Sequence, residues 1–183
     1  MKYFLIAGER SGDVYGAKLI AALLKKDPMT QIVCYGGDEM KAAGGELLSH
    51  YKESAFMGFY EVFTNLRMIK KKLKTCKKEL LAFHPDAVIF IDYPGFNLRM
   101  AAFAKRQGLR TIYYISPKIW AWNKGRIKEI RSFVDKLLVI FPFEVPFYKS
   151  LNYPVEYVGN PLIEHIDSYE LDISFKRSES HRW

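Results

Sequence analysis

The length, composition and charge of this chain exclude several classes of protein. Its 183 residues, 49% of them hydrophobic, suit one domain with a full core, and its two cysteines, Cys34 and Cys76, match neither a metal nor a redox spacing. No apolar run approaches the roughly 20 residues of a membrane span and no signal peptide is evident, so we expect a soluble cytoplasmic protein. Its net charge of +8 suits phosphorylated ligands, anionic lipid or nucleic acid as partners.

The first predicted element is a buried strand over residues 2–7, which runs into a glycine-bearing turn and then a helix. The turn matches neither the dinucleotide G-x-G-x-x-G nor a Walker P-loop, but it offers backbone N–H groups and a positive dipole end to an anion. Its candidate ligand residues are Gly8, Glu9, Ser11, Gly12 and Asp13. Ser11 and Asp13 serve equally well as helix caps; we favour a ligand loop, because one helix needs only one cap.

Shorter elements follow. Residues 31–35 and 47–51 predict two strands, with a short helix at 39–43 between them. Residues 55–60 are apolar without a clear period, which favours a loop packed near the first turn; Met57 and Gly58 lie in it.

A long helix is predicted over residues 61–83, because apolar positions recur in steps of four and three along one face. Seven cations cluster at positions 67–78, and Phe63 and Met68 lie outside the apolar stripe. Such a surface suits a bilayer with anionic headgroups. Its cations include Lys70, Lys71, Lys72 and Lys74. The alternative, which the pattern alone favours, is a solvated helix whose stray apolar side chains are covered by the preceding loop.

The most informative strand covers residues 87–91, where five consecutive apolar residues predict burial on both faces. It ends on Asp92, at the edge of a parallel sheet where ligands bind. Pro94 and Gly95 then predict a turn, and Asn97 predicts the cap of a helix over residues 98–107. Asp92 is therefore a candidate catalytic group, or else a side chain that hydrogen-bonds a neighbouring turn.

The remaining strands are predicted at residues 110–115, 136–140 and 155–158. The first ends on Ser116, and the tryptophans at 120 and 122 are too close in sequence to share a helix face, so one packs inward while the other borders a cleft, or both lie in the core. Glu144 suits the first turn of a short helix. From about residue 164 the pattern changes into a polar tail.

Strands and helices alternate throughout, which predicts an α/β fold: a doubly wound parallel sheet of six or seven strands with helices on both faces. The polar ends of three strands would then meet at one edge of the sheet. The sequence therefore predicts a cleft there, formed by residues 8–13, Asp92 and Ser116.

Six ordered blocks carry a specific resemblance. They are AGERSGD at 7–13, MGFYEV at 57–62, IDYPGFN at 91–97, YISPKIWAW at 114–122, PFE at 142–144 and VGNP at 158–161. Together they resemble the amino-terminal half of the lipid-A-disaccharide synthase family over residues 3–163.

The resemblance implies a Rossmann-like acceptor-binding domain over residues 1–163, one half of a GT-B fold, with 164–183 a linker or truncated tail and the UDP-binding domain absent. It implies inverting transfer, without metal or cofactor, from UDP-2,3-diacylglucosamine to 2,3-diacylglucosamine 1-phosphate (lipid X), giving a β-1,6 disaccharide and UDP. It also implies work at the cytoplasmic face of a Gram-negative inner membrane. For the lysine helix we therefore favour the interpretation as a bilayer-binding surface over that of a solvated helix. It implies no nucleic acid partner and allows a homodimer of the full-length protein.

The resemblance gives Asp92 the role of general base. The residues implied to bind substrate are Gly8, Glu9, Ser11, Gly12, Asp13, Met57, Gly58, Asn97, Ser116, Trp120, Trp122, Glu144 and Asn160. Gly95 stands where many relatives carry a second aspartate, which places the chemistry on Asp92 alone. Two other hypotheses stand beside this one: a nucleotide-binding domain of another enzyme, and a nucleic-acid-binding module that uses the lysine helix.

Overall fold

A computed structural model describes residues 1–55, 62–122 and 124–161 of the chain. Within these ranges seven parallel strands form one sheet. They are β1 (Lys2–Ala7), β2 (Gln31–Gly36), β3 (Glu46–His50), β4 (Ala87–Ile91), β5 (Arg110–Tyr114), β6 (Lys136–Val139) and β7 (Glu156–Tyr157). Their order across the sheet is β3-β2-β1-β4-β5-β6-β7.

Helices follow the strands in the expected alternation. They are α1 (Arg10–Lys26), α2 (Asp38–Ala42), α3 (Lys52–Ala55), α4 (Val62–Phe83), α5 (Pro94–Arg106), α6 (Ile119–Trp122), a 3-10 turn (Lys124–Arg126), α7 (Ile127–Phe133) and α8 (Glu144–Ser150). Of these described helices, none combines the length and the apolar character that crossing a bilayer requires.

The sheet separates two hydrophobic cores, because successive side chains of a strand point to opposite faces. Phe4 and Ile6 of β1 pack into the core that also contains buried residues of α4, α5, α7 and α8. Leu5 and Ala7 pack into the other, with α1 and α2. The doubly wound sheet with helices on both faces is therefore confirmed.

The strand order places the loops after β1 and β4 side by side. The chain winds outward from β1 in one direction through β2 and β3, and in the other through β4 to β7. Ala7, the last residue of β1, is paired with Ile91, the last residue of β4. A crevice forms where the strand order reverses in this way, and ligands of open α/β sheets bind there.

The turn after β4 differs from the sequence-based expectation. Asp92 and Tyr93 both have left-handed backbones, with φ of 44° and 47°, and they make the turn that we assigned to Pro94 and Gly95. Pro94 is instead the first residue of α5. The expectation that Asn97 caps this helix is therefore wrong: Asn97 lies one turn inside it and is buried.

Candidate functional site

Asp92 is held at the carboxyl end of β4 by its main chain. Its carbonyl oxygen accepts a hydrogen bond from the Tyr113 hydroxyl at 2.6 Å and another from Asn97 Nδ2 at 2.8 Å. Its N–H donates to the Tyr114 carbonyl at 3.3 Å. These three contacts stabilise a left-handed backbone that a non-glycine residue seldom adopts, so the position of Asp92 is strongly constrained.

The environment of Asp92 makes its carboxylate a stronger base than usual. The side chain is half-buried, and this burial is the main reason why its pKa is raised. The negative charge of Glu9 raises the pKa further, while the Lys118 cation and the Tyr93 N–H lower it. A half-exposed carboxylate with a raised pKa is both reachable by a substrate hydroxyl and better suited to take its proton.

Glu9 precedes α1 and Ser11 lies in the first turn of that helix, and the Glu9 charge acts on Asp92. Both are exposed, and the Ser11 hydroxyl donates a hydrogen bond to Glu9 Oε1 at 2.5 Å. The first backbone N–H groups of a helix have no partner within it, so this exposed turn retains donors for a ligand. The structure thus brings together Glu9, Ser11 and Asp92 at one edge of the sheet.

Two glycines, Gly8 before α1 and Gly12 in its first turn, permit close packing. A Cβ atom at Gly8 would lie 2.2 Å from ring atoms of Tyr93, and one at Gly12 would lie 3.1 Å from Ala7 Cβ. Gly8 therefore lets the Tyr93 ring cover the turn, and Gly12 lets α1 approach β1. Packing alone explains both glycines; their contact with a ligand stays a prediction.

Asp13 lies on the side of α1 that faces the protein interior. Its side chain is 2% exposed, and it accepts hydrogen bonds from the N–H groups of Gly37, Glu39 and Met40 at 2.8, 3.2 and 3.0 Å. These groups surround the start of α2. Asp13 therefore caps a neighbouring helix rather than its own, and its oxygens are already occupied by backbone donors.

Asn97 also acts within the protein. It is fully buried, and its Nδ2 donates to the carbonyl oxygens of Ile6, Ile91 and Asp92 at 3.3, 3.2 and 2.8 Å. The amide thereby ties the ends of β1 and β4 together. Its effect on a substrate would pass through the position of Asp92.

Ser116 and Glu144 form a second buried group at the same sheet edge. Ser116 is 3% exposed and Glu144 2%. The Ser116 hydroxyl donates to Glu144 Oε1, and the Phe141 N–H donates to Oε2 at 3.1 Å. This pair joins the loop after β5 to the loop after β6, and both side chains are enclosed.

The other predicted substrate residues are dispersed. Trp120 is exposed and packs edge-to-face on Phe143, with ring centroids 5.0 Å apart. Asn160 follows β7, at the outer edge of the sheet. Met57 and Gly58 lie outside the described residues, as does the side chain of Trp122.

The helix α4 presents most of its predicted cations to solvent. Met68 is 48% exposed, and Lys70, Lys71 and Lys74 are exposed as well. Lys72 differs: it is half-buried, with its Nζ 5.7 Å from the centre of the Tyr35 ring, and burial lowers its pKa. The side chain of Phe63 lies outside the part of the chain that the structure describes.

Three residues near Asp92 were not among the sequence candidates. The Lys118 charge acts on Asp92, the Asp92 charge acts on Tyr15, and the Tyr93 ring covers Gly8. Lys118 and Tyr93 lie inside the blocks that carry the resemblance, so those blocks contained a signal for them. Tyr15 had none, because its position follows from the packing of α1.

Comparisons with a family model and with curated proteins indicate the same family. A model of the family described as lipid-A-disaccharide synthetase matches residues 3–180. The lipid-A-disaccharide synthase of Trichlorobacter lovleyi is 44% identical over 166 residues, which are 91% of this chain and 43% of that protein. The enzyme of Geobacter metallireducens is 41% identical over 179 residues, covering 98% of this chain and 45% of that protein. The chain thus spans less than half the length of these curated relatives.

The fold also has solved counterparts. The UDP-GlcNAc 2-epimerase of Neisseria meningitidis superposes with a TM-score of 0.65 at 12% sequence identity, over 91% of this chain and 48% of that one. At this identity the likeness concerns the fold alone. It agrees with a Rossmann-like arrangement of the parallel sheet and its helices.

Proposed function

Because the chain belongs to the lipid-A-disaccharide synthetase family, we propose that it forms the acceptor half of an inverting glycosyltransferase. The reaction joins UDP-2,3-diacylglucosamine to 2,3-diacylglucosamine 1-phosphate. Residues 1–163 bind the acceptor, and a carboxyl-terminal domain of the longer enzyme supplies most contacts to UDP. Family membership makes this function preferable to that of a nucleotide-binding domain from an unrelated enzyme.

Asp92 is the general base of the proposed reaction. Its carboxylate takes the proton of the acceptor 6-hydroxyl while that oxygen forms a bond to the anomeric carbon of the donor. The bond from that carbon to the phosphate oxygen breaks, and UDP leaves with the electron pair. General-base assistance of this kind contributes about 10²–10⁴-fold in rate.

One observation carries this proposal: in a member of this family, the half-buried Asp92 has a raised pKa at the crevice where β1 and β4 end. Burial and Glu9 strengthen the base, and Lys118 keeps a cation beside it. Lys118 also offers a positive charge to an anionic substrate. The rest of the barrier is lowered by orientation of the substrates and by stabilisation of UDP.

A chimera tests the proposal directly. Residues 3–161 replace the matching segment of the Trichlorobacter lovleyi enzyme, and UDP release is measured with both substrates. We expect turnover by the chimera and little or none by the 183-residue chain alone, which spans less than half the length of its curated relatives. A folded chimera without turnover, or turnover by the chain alone, would contradict the proposal.

The proposed enzyme works on the cytoplasmic face of the inner membrane, with α4 on the lipid surface. The exposed Met68, Lys70, Lys71 and Lys74 support this, since an apolar side chain among cations suits anionic headgroups. Vesicles with phosphatidylglycerol should bind the chain, and replacing Phe63 and Met68 by Ser should weaken that binding. Equal binding of both forms would favour simple charge attraction.

A further inference from the structure

A groove of about 630 Å³ lies between α4 and the sheet, on the side of β2 and β3. We call it the α4 groove. Among the residues that the structure describes, its apolar lining includes Tyr35, Leu48, Met68, Ile69, Tyr93 and Phe96. This volume is within the range of about 300–1,000 Å³ that small-molecule sites have. The apolar lining provides surface for a hydrocarbon chain.

The α4 groove adjoins the Asp92 site at Tyr93. Tyr93 follows Asp92 directly, and its ring lies against Gly8 on one side. The same ring stacks on Phe96, with centroids 5.9 Å apart and planes at 28°, and both residues line the groove. The end of the groove nearest the catalytic carboxylate is therefore aromatic and firmly packed.

The polar lining of the groove contains two lysines, Lys71 and Lys72, and two glutamates, Glu53 and Glu79, so its formal charges balance. Lys72 lies over the ring of Tyr35, whose hydroxyl donates a hydrogen bond to Glu79. Long lysine side chains pack their methylene groups on apolar surface and keep the ammonium group near water. A groove with an apolar lining beside polar side chains that reach water matches an amphiphile.

We propose that the α4 groove binds an acyl chain of the acceptor. The inference rests on the proposed function, in which the acceptor 6-hydroxyl lies at Asp92. In a glucosamine ring, carbon 2 stands opposite carbon 5, which carries the exocyclic carbon 6 with its 6-hydroxyl group. An acyl chain attached to carbon 2 therefore extends from the side of the sugar that faces away from the base. The groove likewise extends away from Asp92, past Tyr93.

The proposed orientation of the sugar also determines where the phosphate of the acceptor lies. Carbon 1 is adjacent to carbon 2, so its phosphate enters on the same side as the chain. Of the charged residues that line the groove, Lys71 and Lys72 attract this phosphate, whereas Glu53 and Glu79 repel it. The groove would thus select the acceptor by its hydrocarbon chain, and its charged residues would contribute little net attraction for the phosphate.

The test uses the 183-residue chain and two probes, glucosamine 1-phosphate and its 2,3-dioctanoyl derivative, whose short chains keep it monomeric. Affinities are measured by calorimetry. Thr75 is exposed and lines the groove, so Thr75→Phe fills it without entering the core. Leu81→Phe is the matched control, because Leu81 lies on the same helix, 40% exposed, and does not line the groove.

We expect the dioctanoyl probe to bind the wild-type chain at least tenfold more tightly than glucosamine 1-phosphate. Thr75→Phe should weaken the dioctanoyl probe about tenfold, which is about 1.4 kcal/mol, and Leu81→Phe should leave it unchanged. The methyl resonances of Leu48 and Ile69 should shift with the dioctanoyl probe only. This second measurement needs no variant.

Two results would overturn the proposal. One is equal affinity of the two probes for the wild-type chain; the other is unchanged affinity of Thr75→Phe with no shift of the groove methyl groups. Turnover by the chimera is measured separately, so the groove can fail while the transferase function stands. Loss of turnover in a chimera whose groove binds the dioctanoyl probe would count against the function alone.

Discussion

Two acidic side chains at the carboxyl edge of the sheet, Asp92 after β4 and Glu144 at the start of α8, lie in opposite environments. Asp92 is half-buried with a raised pKa, and an exposed glutamate and an exposed lysine act on it. Glu144 is 2% exposed, and its two oxygens accept hydrogen bonds from Ser116 and from the Phe141 N–H. The first carboxylate is available to a substrate, and the second joins two loops.

The difference teaches that position at the sheet edge does not by itself identify a functional carboxylate. Both residues follow strands, and both lie in blocks that carry the resemblance. What separates them is the number of donors that the protein itself supplies to each carboxylate. A buried carboxylate is expected to be hydrogen-bonded, whereas a half-exposed one at a crevice remains a candidate for chemistry.

Replacement of the exposed carboxylate should have the largest effect. In the chimera, Asp92→Asn should lower kcat about 10²–10⁴-fold, because the amide cannot accept the proton of the attacking hydroxyl. UDP release under saturating substrates measures this. A loss of less than tenfold would move the role of base to another residue.

We also expect a defined effect of Asp92→Asn on the stability of the fold. Burial raises the pKa of Asp92 above its unfolded-state value, so the stability it contributes is present at low pH and is lost as pH rises through the folded-state pKa. Asp92→Asn should therefore be at least as stable as the wild type at neutral pH. Thermal unfolding at pH 7 checks this and separates lost chemistry from lost structure.

Asp13 belongs with the enclosed carboxylates, and its removal should affect stability most. Asp13→Ala leaves the N–H groups of Gly37, Glu39 and Met40 without their acceptor in a buried place. We expect the free energy of unfolding to fall by about 4 kcal/mol. Asp13→Asn is the control: it retains one oxygen for Gly37 and Met40 and should lose clearly less in urea denaturation.

Glu144→Ala should be the next largest effect on stability. It leaves the Ser116 hydroxyl and the Phe141 N–H unpaired, which is expected to cost about 2–3 kcal/mol. Glu144→Gln keeps an acceptor for one of these donors and should recover part of the loss. Unfolding by heat measures both variants. If Glu144→Ala were as stable as the wild type, the pair would not be the link between the two loops.

The sheet could be predicted from the sequence because its signals are local. Residues 87–91 are uniformly apolar and bounded by polar residues, and the structure has β4 there. The turn after β4 could not be predicted in the same way. Its left-handed backbones at Asp92 and Tyr93 depend on hydrogen bonds from Tyr113 and Asn97, one of which comes from a neighbouring strand.

The site was predictable as a set of positions but not as a set of roles. Asp92 and Glu9 lie together as the pairing of β1 with β4 requires. Asp13 was favoured as part of a ligand loop, yet its partners are backbone groups about 25 residues away in α2 and the preceding turn. Sequence spacing carries no signal for a cap supplied by another helix.

The smallest expected effect concerns the charges beside Asp92, and it distinguishes the exposed group from the enclosed one. Glu9 raises the pKa of Asp92 and Lys118 lowers it. Glu9→Gln should therefore lower that pKa, and Lys118→Gln should raise it. Both parent side chains are exposed, so salt should reduce both shifts. The carboxyl carbon resonance of Asp92, followed by NMR against pH in the 183-residue chain, measures them. Shifts of the same sign in the two variants would mean that a change in burial, rather than the two charges, sets the basicity of Asp92.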